Sequence, residues 1–321
     1  MDRHRAVRRQ LCDDRAVRPA HPTDNIMMRR LIVSLFTGTL LFTVGGGAIF
    51  AQGTTTGDPA ATAKPAAQPA TEDRTLTPAE AETLKFPSLD RPWKGADYEQ
   101  VTQILSRIGT VDAPQLPRYG SARSGELFAK LTTTAHFNSF NDPAVDVKTR
   151  VPEALQQLQS LNRLGVIYQS AADRKFVGVG NYLTIYVTMS EAARRVLIAL
   201  DEYVGTLDEK DPNAPFRKEG ILKLKEAIAD MISTAVLTLG DEKLSEQDRR
   251  TLAQSLEASV PAAMVRLPES RRHSLLLRLR FFANNTEPKE LQPVLRQFVE
   301  AIDKAIAAGV PQPTTPTPAT P

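Results

Sequence analysis

The sequence predicts an all-α protein, a compact domain of roughly eight or nine helices over residues 77–308 with a disordered tether at each end. Three observations predict it. Helix-capping patterns recur along the chain. Between them, apolar residues repeat at three- and four-residue steps. Two stretches rich in Pro, Ala and Thr flank this periodic part and lack the apolar side chains to build a core.

The chain opens on a polar, Arg-rich stretch, 1–26, interspersed with Asp2, Asp13, Asp14 and Asp24. Met27-Met28-Arg29-Arg30 then leads into LIVSLFTGTLLFTV and GGGAIFA, the positive, apolar and small-residue parts of a secretory signal. The simplest reading starts translation at Met27 or Met28, makes 1–26 an overcalled start and removes 27–51 by a cut after Ala51. With 1–26 translated, the uncharged run 31–50 is long enough to act as a membrane anchor, although its glycines and threonines suit that role poorly.

Export changes the charge. Residues 1–51 hold 8 of the 40 basic and 4 of the 37 acidic residues, leaving 32 and 33, so the net charge of +3 becomes about −1. A near-neutral chain does not call for nucleic acid. Cys12, the only cysteine, also lies before the cut, which rules out a disulfide framework, a thiol nucleophile and a Cys-ligated zinc in the mature chain.

Residues 52–76 read as a Pro/Ala/Thr-rich linker and 309–321 as a similar tail. Thr77-Pro78-Ala79-Glu80 is a capping box, and Asp97 opens a helix that carries Tyr98, Val101, Leu105 and Ile108 and stops at Gly109. A third helix is expected over 124–140, closed by Asn141-Asp142-Pro143, and a fourth from Val151-Pro152 with Leu155, Leu158, Leu161 and Tyr168. The clearest stripe covers 216–239, with Ile221, Leu224, Ile228, Met231, Ala235 and Leu239. Ser245 caps the next helix, which ends before Pro261, and another spans 269–283. The last runs over 287–308, with Leu291, Val294, Leu295, Phe298, Ile302 and Ile306 inward, and ends at Gly309.

One segment is ambiguous. Leu183, Ile185, Val187 and Met189 alternate with Tyr182, Thr184, Tyr186 and Thr188, a strand period, and Gly180-Asn181 offers a turn for a short hairpin near 176–188. Apolar content continues through Val196, Leu197, Leu200 and Val204, which favours one long buried helix, because a lone hairpin has no sheet to join.

Few residues suggest chemistry. His136 has no acid or histidine at the four-residue step of a helical metal pair, so it reads as a structural histidine beside aromatic neighbours. The acidic loop 208–213 lacks the glycine and glutamate of a calcium loop. Gly178-Val179-Gly180 lacks the third glycine of a dinucleotide fingerprint. Trp93 reads as packing against the Asp97 helix. No metal, cofactor or catalytic residue is expected. The strongest charge concentration is Arg271, Arg272, Arg278 and Arg280, a candidate surface for an anionic envelope component or an acidic protein. His273 sits among these arginines, which disfavour metal capture there.

The functional expectation is a non-enzymatic helical interaction or scaffolding protein of the cell envelope, exported to the periplasm or the outside. One alternative is an envelope hydrolase whose carboxylates come from distant helices and so leave no motif. Another is a carrier of an apolar small molecule, with 176–204 lining its cavity.

Overall fold

A computed structural model describes residues 85–310 apart from 112, 122 and 123. Expectations for 1–26, 27–51, 52–76, the capping box at Thr77 and the tail beyond 310 lie outside the described residues. Within them the chain is all-helical, with nine α-helices, short 3-10 turns and no strand.

Helix α1, Gly95–Val111, starts two residues ahead of Asp97. Asp97 lies in its first turn, accepts the Lys94 N–H at 2.8 Å and receives both ends of the Arg91 guanidinium at 2.6 and 2.7 Å. The hydrogen bonds from Arg91 hold its carboxyl below the usual range, against the opposing effect of partial burial. Nor does Gly109 stop the helix. It faces a neighbouring helix, and a Cβ there would lie 2.8 Å from Ile167 Cγ2, so this glycine provides close approach instead of a cap.

The expected helix over 124–140 is two pieces: α2, Gly125–Thr132, and a 3-10 helix, Thr134–Asn141. Thr133 breaks them with extended backbone and caps the second piece by accepting the Ala135 N–H. The break rotates His136, Phe137 and Phe140 into the interior. Helix α3, Val147–Asp173, begins ahead of Val151 because Asp146 caps it, its side chain accepting the Lys148 N–H at 2.9 Å. Pro152 therefore sits inside the helix, and the carbonyl it leaves unpaired, that of Lys148, lies at an exposed residue.

Helix α4, Val179–Gly205, takes up the ambiguous segment and excludes the hairpin. The alternation misleads because three of its four polar members are buried as well, only Thr184 being exposed. Tyr182, Tyr186 and Thr188 are as enclosed as Leu183, Ile185 and Met189. Hydroxyls that a strand would have to satisfy elsewhere bond back along the helix, Thr184 to Gly180 O at 2.7 Å and Thr188 to Thr184 O at 2.8 Å. Gly180-Asn181 forms the first turn, and Asn181 Oδ1 accepts the Tyr119 N–H at 2.9 Å.

Helix α5, Ala214–Leu237, runs into a 3-10 turn, Thr238–Gly240, so Leu239 stays on the buried stripe beyond the α-helix proper. Helix α6, Glu246–Glu257, has the expected cap: Ser245 Oγ accepts the Asp248 N–H at 3.1 Å. A short helix α7, Val260–Met264, starts on Pro261. Helix α8 is Glu269–Asn285. After a 3-10 turn, Lys289–Leu291, helix α9, Gln292–Ala308, ends where expected, at Gly309 with φ of 75°.

Helices α3 and α4, 27 residues each, form the spine. Helix α4 touches α2, α3, α5, α6, α7 and the 134–141 turn, which explains why its apolar residues spread over more than one side. Gly165 on α3 lets the two long helices close up, since a Cβ there would meet the Tyr186 ring at 2.6 Å. One continuous core runs from Trp93 to Ile302. On its far side α8 packs between α5 and α9, with one side left outward.

Candidate functional site

The site is built on α8. Leu275, Leu276, Leu279 and Ala283 are buried against α5 and α9. A helix turns about 100° per residue, so three consecutive leucines and two consecutive phenylalanines cannot all face inward. Leu277 and Phe281, one turn apart, point outward and are 52% and 62% exposed. Phe282 turns in instead, and its ring fills the space over Gly240, where a Cβ would come within 2.8 Å. The outward pair is a candidate feature that the charge pattern does not reveal. Its signal was the run Leu275-Leu276-Leu277, followed by Phe281-Phe282.

The four arginines do not form one cluster. Arg271 and Arg278, two turns apart, lie on the α5 side, where Arg271 Nη1 reaches Asp230 Oδ1 at 3.2 Å. Arg280 lies on the α9 side and holds both Asp303 oxygens at 2.9 and 3.0 Å. Arg272 bends back to the Val265 carbonyl at 3.4 Å. Among the described residues the Arg278 side chain makes no ion pair and no hydrogen bond, and it stands close enough to Asp230 to act on its charge. Burial raises the Asp230 carboxyl above its usual range, Glu226 adds to that, and Arg271 and Arg278 oppose it. Both ion pairs are at the surface, with partners more than 40% exposed, so each contributes about 0–1 kcal/mol and exchanges readily for another anion.

Beyond Arg280 the outward face continues into a shallow cleft of about 190 Å³ between α8 and α9, lined by Arg280, Ala283, Asn284, Arg296, Val299 and Glu300. A second shallow cleft, of about 270 Å³, is lined by Lys85, Gln100, Gln103, Ile104 and Arg107 on α1 and the segment before it. Neither cleft is lined by a pair of carboxylates, and neither borders residues 176–204. Among the described residues no three His, Cys, Asp or Glu side chains come close enough to hold a metal ion, and no helix is long and apolar enough to cross a membrane.

The remaining candidates have structural partners. His136 is buried, stacked on Trp93 with ring centres 5.7 Å apart and met edge-on by Tyr98 at 5.6 Å. Its Nδ1 accepts the Trp93 N–H at 2.9 Å and its Nε2 faces the Lys130 carbonyl at 2.9 Å, so the neutral ring carries its proton on Nε2. In the 208–213 loop, Asp208 and Asp211 accept the N–H groups of Lys210 and Asn213 and so close turns. Gly178 precedes α4, and its carbonyl is held by the Asn181 side chain at 3.0 Å.

Burial, and then the Lys130 charge, lower the His136 pKa, while the hydrogen bond to Lys130 O and the Asp97 charge partly oppose them. The unfolded chain therefore binds a proton here more readily than the folded one. Stability is complete above the unfolded pKa of about 6.5 and falls as pH drops below it. Urea unfolding midpoints should decline from pH 7.5 to pH 5, and the decline should shrink in His136→Gln; an unchanged decline in that variant would clear His136 of the effect.

No family model, no curated protein and no solved structure matches the chain, and no family is assigned to it.

Proposed function

We propose that the chain is an exported, non-enzymatic helical interaction protein of the cell envelope, and that it docks through the outward face of α8. The signal-like run 27–51 supports export, and 52–76 then serves as a tether ahead of the helical domain. The observation that carries the docking reading is the exposure of Leu277 and Phe281 beside Arg278 and Arg280, on a helix whose other side is fully packed. Large apolar side chains next to exposed cations, Arg278 without an ion pair among the described residues and Arg280 in a weak surface pair, mark a surface that meets a partner.

A photo-crosslinking residue placed at 277 or 281 of the full chain in its host tests this. Adducts with envelope material should form at both positions, weaken in Arg278→Gln and be absent when the probe replaces Tyr119, which is 85% exposed on another part of the surface. Adducts at 119 alone, or a protein that stays in the cytoplasm with 1–26 attached, would overturn the proposal.

A further inference from the structure

The geometry points to a bilayer rich in anionic lipid as the partner of α8, an inference that rests on the docking reading above. Around the helix, the outward sector runs from Arg278 through Phe281 and Leu277 to Asn284 and Arg280, and it continues to Arg296 on α9. Cations therefore border an apolar centre on both sides, with Glu300 in the same cleft as Arg296 and Asp303 paired to Arg280 on the α9 side. The helix itself carries Arg271, Arg272, Arg278 and Arg280 against a single acid, Glu269.

Three features select a membrane over a soluble anion. A dissolved acidic polymer or peptide engages the arginines but leaves Leu277 and Phe281 in water, whereas the headgroup boundary takes both at once. The outward face of α8 is also exposed at Leu277, Arg278 and Phe281. The cleft beside it is shallow and offers no groove for a helix or an extended peptide, so a flat partner fits it best. Finally, the ion pairs to Asp230 and Asp303 are exposed and weak, so lipid phosphates can replace the carboxylates at little cost. The docked helix lies along the surface with Phe281 and Leu277 at acyl depth and the arginines at phosphate level. Among the described residues no helix is long and apolar enough to cross the bilayer.

Phe281→Trp in the full chain gives a local probe of depth, because the only native tryptophan, Trp93, is buried. Vesicles of phosphatidylglycerol with brominated acyl chains should quench and blue-shift the new fluorescence. Phosphatidylcholine vesicles should do so far less, and added salt should reverse the effect. Arg278→Gln in the same background should weaken vesicle binding about fivefold, the contribution of one cation near an anionic surface. Leu277→Ser should weaken it about tenfold. Equal quenching by both lipids, or no quenching with either, overturns the inference. If polyglutamate binds while the vesicles leave residue 281 unquenched, the partner is an acidic protein. If residue 281 is shielded only as protein concentration rises, the partner is a second copy. Both of those results overturn the lipid inference and preserve α8 as a docking surface. Absence of any α8 crosslink in the host removes both.

Discussion

Phe298→Ala should lower the unfolding free energy by about 3–5 kcal/mol, the usual cost of removing a fully buried phenyl ring. Phe298 is 1% exposed and lies with Leu295, Val299 and Ile302 on the inward side of α9. That helix packs against α6, α7 and α8, so the cavity would open where three elements meet and none can collapse alone. Denaturant unfolding of the full chain measures it. A loss under about 1 kcal/mol would mean that α9 does not complete the core. Because α8 rests on α9, the outward face of α8 should lose order together with the core in this variant, unlike Arg278→Gln, which should leave the fold intact.

Arg150→Ala should cost about 3 kcal/mol, for a polar reason. The buried guanidinium of Arg150 ties three segments together: Nε donates to Val145 O, Nη1 to Phe140 O and Nη2 to Glu202 Oε2, each at 2.8 Å. Removing it strands two carbonyls at the turn into α3 and cuts the link to α4. Glu202 is 43% exposed on its side chain and returns to water, so most of the cost comes from the carbonyls. Arg150→Lys should recover less than half, because one ammonium group cannot reach three acceptors spread around a planar fork. A lysine variant as stable as the original, in the same unfolding measurement, would show that charge alone matters there.

Capping and periodicity made most of the fold legible in the sequence. Ser245 caps α6 as expected, Gly309 ends α9, and the stripe from Ile221 to Leu239 is buried on its expected side. These are local matters, settled by which side chain reaches a nearby N–H group and which residues share a helix face. Errors arose where a local signal had a distant partner. Gly109 looked like a stop but makes room for Ile167, 58 positions along the chain. The apparent continuity from Phe128 to Phe140 ignored the break at Thr133, which brings His136 to Trp93. The strand-like rhythm of 182–189, by contrast, was rightly read as part of one long helix.

The same division holds for the candidate site. Sequence alone determined that α8 is basic, that it is helical and that it has more large apolar residues than one inward face can hold. It did not determine which arginines are paired, because Asp230 and Asp303 come from helices 41 and 23 residues away and meet α8 only when α5 and α9 pack against it. Tertiary packing alone decided that Arg278 makes no ion pair among the described residues while acting on the Asp230 charge, that Arg280 faces the other way and that Leu277 and Phe281 are exposed. The physical reason is that helix formation satisfies backbone groups within a few residues, whereas burial and charge pairing depend on which faces the rest of the core has already covered.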